Sequence, residues 1–270
     1  MSIQPRRLRH GGREFTAIVQ LPAGTARPAK GVLLCRPIGQ EAVRSNAMFR
    51  VLSERLAREG FAVLRFDYHG TGDSPGEEQE QSLASWASDI VAAHDAMAAE
   101  GISAVSWFGM RLGANAALEA ARAVRNPPRH LILWEPVVHG QTYLQLLMRG
   151  HRDELVREFG GLPWKYLLAA TKVVEPELPG DVLGFQYGRL LVEEIAALAE
   201  LNVRAVLRRG IPVLCALRQA DKSTLEHLPV SDLLHTQIVQ VQTDWLSSQA
   251  MGSAVAPPDA INTLVSTLRL

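Results

Sequence analysis

Short apolar runs alternate with segments of helical spacing along most of this chain. The runs are Thr16–Leu21, Gly31–Leu34, Ala62–Phe66, Ala104–Phe108, Leu131–Trp134, Pro212–Leu217 and Ile238–Val241. Continuous apolar runs this short predict strands buried on both faces. Helices are predicted over Ala47–Glu59, Ser82–Glu100, Leu112–Val124 and Asp259–Leu268. The first places Phe49, Leu52 and Leu56 on one stripe. In the second, Ser82 is placed to cap the start and Gly101 to stop the end. The third is rich in alanine, the best helix former. The last follows Pro257-Pro258, with Asp259 as its cap. Such alternation predicts a mostly parallel sheet with helices on both faces, an α/β architecture. The opening differs: Arg6–Arg9 and Glu14–Leu21 flank His10-Gly11-Gly12, a hairpin signal, so the sheet starts with an antiparallel pair.

One segment interrupts the alternation. More than seventy residues separate Trp134 from Pro212. Helical spacing recurs in Tyr143–Phe159, Trp164–Val174 and Arg189–Leu201, broken at Gly160–Pro163 and Pro176–Pro179. A structureless loop of that length is implausible. The segment reads as a helical lid over residues 139–205, between core portions 1–138 and 206–270. It would cover the sheet's C-terminal edge, where open α/β sheets hold their ligand crevice. The alternative is an ordinary set of crossover helices.

Charge and composition narrow the partners. Lys plus Arg and Asp plus Glu number 28 each, so the net charge is zero. A charge-driven binder of nucleic acid or of a membrane surface needs a basic excess. No apolar stretch approaches the ~18 residues of a membrane span. Arginines near the N-terminus are followed by no apolar signal segment. Two cysteines make no disulfide framework, which points to a reducing, cytoplasmic compartment. No spacing of histidines, cysteines or carboxylates suits a metal. Gly70-Thr71-Gly72 fails as a dinucleotide fingerprint because position 75 is Pro75. The expected cofactor list is therefore empty, the expected partner is a small molecule, and no oligomeric state is implied.

Val105–Gly113 reads V-S-W-F-G-M-R-L-G and runs straight into the alanine-rich helix. This strand–turn–helix has the outline of the nucleophile elbow G-x-S-x-G. Gly109 and Gly113 have a steric reason, because strand and helix cross too closely there for side chains. Three more blocks occur in order. Arg36–Glu41 follows the third strand, Asp67–Ser74 (D-Y-H-G-T-G-D-S) the fourth, and Gly210–Leu214 with Asp221 marks the seventh. Together they resemble the α/β-hydrolase superfamily. Pro37–Glu41, Gly109–Ala114 and Leu133–Leu144 make the chain similar to a serine-aminopeptidase-like branch that includes the exosortase-system-associated hydrolases of the second type. The resemblance implies an α/β-hydrolase fold with a helical lid, and half an oxyanion hole in the Arg36–Glu41 loop. It also implies a triad acid at Asp221.

The chemistry departs from that pattern at two places. The nucleophile position holds Arg111, whose guanidinium stays protonated and has no lone pair for attack. Val241–Ser247, where the resemblance puts the triad histidine, contains none, and His235 is expected to precede the last strand. A serine mechanism therefore cannot run from this elbow. Arg111 instead sits at a helix N-terminus, where N–H groups and the dipole favour anions. With the N–H groups of Leu112 and Ile38, and with Met110 nearby, it forms a receptor for a carboxylate or phosphate. Alternatively Glu41 or Glu135, both expected in loops at the same edge, neutralises it internally, since a buried arginine needs a partner. The two readings are compatible if a ligand displaces one carboxylate.

Cys35, His69, His139 and Asp221 are the candidate catalytic groups. Cys35 is a possible nucleophile or a packing residue. His69 and His139 are general bases or solvated loop residues. Ser74 is expected to bond its own turn, and Ser106 to point away from the crevice. Met110, Trp134, Tyr143 and Trp164 either line an apolar pocket or pack the core, and Trp245 fills the space of the missing histidine. Three readings follow: a ligand-binding pseudoenzyme, an active hydrolase or acyltransferase with a rearranged constellation, and a scaffold.

Overall fold

A computed structural model describes residues 1–24, 28–159, 181–240, 243, 245–246 and 258–269. An eight-stranded sheet forms its centre. Its strands are β1 (Ser2–His10), β2 (Arg13–Leu21), β3 (Lys30–Cys35), β4 (Ala62–Phe66), β5 (Ala104–Met110), β6 (Leu131–Trp134), β9 (Val213–Leu217) and β10 (Leu234–Ile238). Their spatial order is β1-β2-β4-β3-β5-β6-β9-β10. The hairpin β1–β2 is antiparallel, as is the β2–β4 pairing; every later pairing is parallel.

Helices cover both faces. They are α1 (Gly39–Arg58), α2 (Leu83–Ala99), α3 (Leu112–Ala123), α4 (Gly140–Phe159), α5 (Arg189–Ala196), α6 (Arg204–Leu207) and α7 (Pro258–Arg269). Strand alternation splits the core accordingly. Leu33, Trp107 and Leu133 pack with Trp86 and Ile90 of α2 and Ala117 of α3. Val32, Phe108 and Ile132 pack with Phe49 and Leu52 of α1 and Leu264 of α7. Ser82 caps α2 in a capping box with Ser85, as its sequence predicts.

Four expectations need correction. Helix α1 starts at Gly39, well before Ala47, because its first turns bury Glu41, Arg44 and Ser45 rather than apolar residues. Apolar periodicity is silent there, and Glu41 belongs to a helix, not a loop. The last strand is Leu234–Ile238, not Ile238–Val241. It lies at the sheet's edge and, among the described residues, pairs with β9 alone, so it has no continuous apolar run. His235 consequently lies within it and not before it. Between β6 and β9, Asp181–Val182 (β7) and Phe185–Gln186 (β8) form a small hairpin where none was expected. Helix α5 ends at Ala196, short of Leu201. The helix expected over Trp164–Val174 lies outside the described residues. No described helix is long and apolar enough to cross a membrane.

Candidate functional site

The turn from β5 into α3 is tight, for the expected reason. A Cβ on Gly113 would fall 2.2 Å from the Arg36 carbonyl, and one on Gly109 would fall 2.6 Å from the Ala114 Cα. Backbone meets backbone at both points, so only glycine fits. Between them Arg111 adopts φ 53° and ψ −129° as the residue preceding α3. A non-glycine residue in this region costs about 1–3 kcal/mol, and such strain clusters at functional sites. Strand β6 and the first turn of α3 hold it in place: the Arg111 N–H donates to the Trp134 carbonyl at 3.0 Å, and its carbonyl accepts from Ala114 N at 2.9 Å.

The Arg111 side chain is buried and paired. Nε donates to Glu41 Oε1 at 2.8 Å, and Nη1 donates to the Glu135 carbonyl at 3.0 Å. Tyr143 Oη donates to the other Glu41 oxygen at 2.9 Å, and its ring lies 5.3 Å beneath the guanidinium. Glu41 stands in the first turn of α1, where the helix dipole also favours its charge. Burial alone would lower the Arg111 pKa, but Glu41, Tyr143 and Glu135 outweigh it and keep the cation firmly protonated. Burial, and then Glu41, push the Tyr143 hydroxyl well above its ordinary range, so it serves as a neutral donor. Internal pairing is thus the resting arrangement, with Glu41 as the partner carboxylate.

Glu135 contributes differently from what was expected. Its backbone at φ 45° turns its carbonyl to Arg111. Among the described residues its buried carboxylate Oε2 accepts no hydrogen bond, and it lies 3.8 Å from Arg218 Nε. Burial raises its pKa, against the pull of Arg111 and Arg218. Asp221 lies in the 3₁₀ stretch Gln219–His227 after β9. Burial raises its pKa too, against the charges of Arg111, Arg218 and His139.

A cavity of about 410 Å³ opens beside this cluster, lined among others by Glu41, Arg111, Arg149, Arg218, Trp245 and Leu246. Trp245 is buried and occupies the stretch where a triad histidine was sought. All eight histidines are among the described residues, and none lines this cavity. Serine, threonine and cysteine are likewise missing from its described lining.

The other candidates are placed elsewhere. His69 holds its own loop to β2, with Nδ1 donating to the Glu14 carbonyl at 2.8 Å. His139 is exposed just before α4. Cys35 is fully buried, and burial pushes its thiol far up, away from the reactive thiolate. Cys215 is pushed up to about 12, and β5 and β6 separate the two cysteines in the sheet. Met110 and Trp134 pack in the core with Phe108 and not against a ligand cavity. Leu112 is buried at the start of α3 and Ile38 precedes α1, so their N–H groups belong to helix N-termini at this edge. Ser74 donates to the Asp67 carbonyl within its loop at 2.7 Å. Ser106 meets His130 Nδ1 at 3.3 Å, near the end of β5 remote from Arg111. Sequence reading missed the Tyr143 hydroxyl and two arginines, Arg149 and Arg218. Arg218 had a usable signal: it follows the last residue of a central strand, on the edge where crevices form.

A family model described as serine aminopeptidase, S33 matches residues 39–170, just under half of the chain. An uncharacterized protein of Mycobacterium tuberculosis is 36% identical over 118 residues, 42% of this chain and 38% of that protein. The match thus spans well under half of that relative. Among solved structures, a carboxylesterase of the thaumarchaeon Nitrososphaera gargenis superposes with TM-score 0.63 at 14% identity, over 98% of each chain. Proline iminopeptidase of Mycobacterium smegmatis gives 0.61 at 14% identity, also over 98% of each chain. With its parallel sheet and its β5–α3 elbow, the chain has the α/β-hydrolase fold.

Proposed function

We propose that this chain is a member of its fold without a working triad, and that it binds a small acyl, carboxylate- or phosphate-bearing ligand at Arg111. The observation that carries the reading is the lining of the Arg111 cavity. It offers three guanidinium groups, beside the carboxylates of Glu41, Asp153 and Glu154, and no described hydroxyl or thiol nucleophile or imidazole. Among the described residues Arg218 Nε is buried without a hydrogen-bond acceptor, its nearest carboxylate being Glu135 at 3.8 Å. An anion bridging Arg218 and Arg111 would satisfy it, joining or displacing Glu41. We read the branch as that of the exosortase-system-associated hydrolases of the second type, on the blocks quoted above.

Calorimetric titration with butyrate and with inorganic phosphate tests this. Arg218→Gln, and separately the pair Arg111→Met with Glu41→Gln, should weaken binding at least tenfold. Unchanged affinity in both variants rejects the reading. A second reading, an enzyme with a rearranged constellation, is supported by the electrostatic coupling of His139 to Asp221. It requires that His139→Gln abolish hydrolysis of a simple ester.

A further inference from the structure

A second and larger cavity, of about 900 Å³, shares no lining residue with the Arg111 cavity. Its origin lies in how far α1 reaches across the sheet. Helix α1 packs over β3 and β4 but leaves the outer part of the β1–β2 hairpin open, so a groove runs between helix and hairpin. Register places Pro5 of β1, Ile18 of β2, Arg65 of β4 and Leu34 of β3 in one row. Arg65 therefore stands on the floor of the groove, the one charged residue of a strand that is otherwise apolar.

The charge there is incompletely matched. Arg36 donates to Asp67 at 2.6 Å and to the Ala42 carbonyl at 3.2 Å. Arg7 pairs with Glu14 at 3.1 Å, and Arg6 with Glu100 at 3.4 Å. Glu78 accepts from Gln186 N at 2.8 Å. Among the described residues Arg65 forms no ion pair, and its buried Nε has no hydrogen-bond partner; the same is true of Arg36 Nε. Burial, and then the like charge of Arg36, lower the Arg65 pKa, against the pull of Asp67 and Glu54. Asp73 also lines the cavity, and its backbone N–H is turned to Asp67. Apolar surface adjoins the cations: Ile18 is 38% exposed and Val43 is 55% exposed, and Phe185 closes one end. Lone exposed apolar residues mean little, but here they flank an unmatched buried donor within one cavity.

We infer that this groove is a second binding site, for an amphipathic anion whose carboxylate or phosphate head sits on Arg65 and Arg36 and whose apolar body lies along Ile18 and Val43. Head and tail are read separately. The guanidinium pair supplies charge-assisted hydrogen bonds, and the apolar wall rewards a short alkyl chain. The site does not depend on the Arg111 reading.

Titration of the intact protein with octanoate, octyl phosphate and octanol tests it. Both anions should bind, and octanol at least tenfold more weakly. Equal binding of the two anions identifies a general anionic head, and preference for one names it. Arg65→Gln should weaken anion binding at least tenfold. Val43→Glu, on an exposed position of α1, should do the same by repulsion if Arg65→Gln fails to fold. The pair Arg111→Met with Glu41→Gln should leave this binding intact, which separates the groove from the first cavity. Octanol binding as tightly as octanoate, or affinity for the anions unchanged in the folded groove variants, overturns the inference.

Discussion

Arg111→Ala is expected to lower the stability of the protein by about 3–5 kcal/mol, read as a shift of the urea midpoint at constant slope. Arg111 and Glu41 side chains are only 4% and 2% exposed, and they share a 2.8 Å contact. Removing the guanidinium leaves the Glu41 charge buried, with Tyr143 as its remaining hydrogen-bond donor among the described residues. It also strips a donor from the Glu135 carbonyl. Alanine relieves little of the strain at φ 53°, so the loss is not offset there; a glycine would relieve more. The diagnostic comparison is the double variant Arg111→Met with Glu41→Gln, which removes both charges and keeps volume. It should recover more than half of the loss, since replacing a buried pair costs far less than breaking it. A single variant as stable as the parent would mean that the pair is not formed.

Arg111→Ser should not create an esterase. Serine at the elbow needs a base to take its proton and an acid to orient that base. No histidine lines the cavity, and the stretch that would supply one holds Trp245. Hydrolysis of p-nitrophenyl acetate should stay within about twofold of the parent, far below the roughly 10²–10⁴-fold that a positioned base contributes. A gain of a hundredfold would show that His139, the imidazole coupled to Asp221, reaches the elbow and restores a triad.

Much of the architecture was legible in the sequence because buried parallel strands are continuous apolar runs. Leu131–Trp134 and Ala62–Phe66 match the observed strands to the residue. Gly109 and Gly113 announced the elbow, because only a backbone crossing makes glycine necessary at both. The misses share one cause: polar side chains inside an element leave no apolar period. The first turns of α1 bury Glu41, Arg44 and Ser45, so the helix that carries the partner of Arg111 was read as a loop. The edge strand β10 carries His235, Thr236 and Gln237 between its apolar ends and was set too late in the chain. At the site, the pairing of a buried arginine with a carboxylate was a physical necessity, and Glu41 was one of two named partners. Which of the two took the ion pair depends on where a helix dipole and a tyrosine hydroxyl fall in space. The groove at Arg65 was invisible for the same reason, since it is made by strand register and by the reach of α1.

Fluorophosphonate labelling of the unaltered protein, followed by peptide mapping, tests the central claim most directly. A protein whose elbow carries a guanidinium in place of a nucleophile, beside a cavity without an imidazole, should take up no label under conditions that saturate an active serine hydrolase. Stoichiometric modification of a serine at the Arg111 cavity would contradict the account.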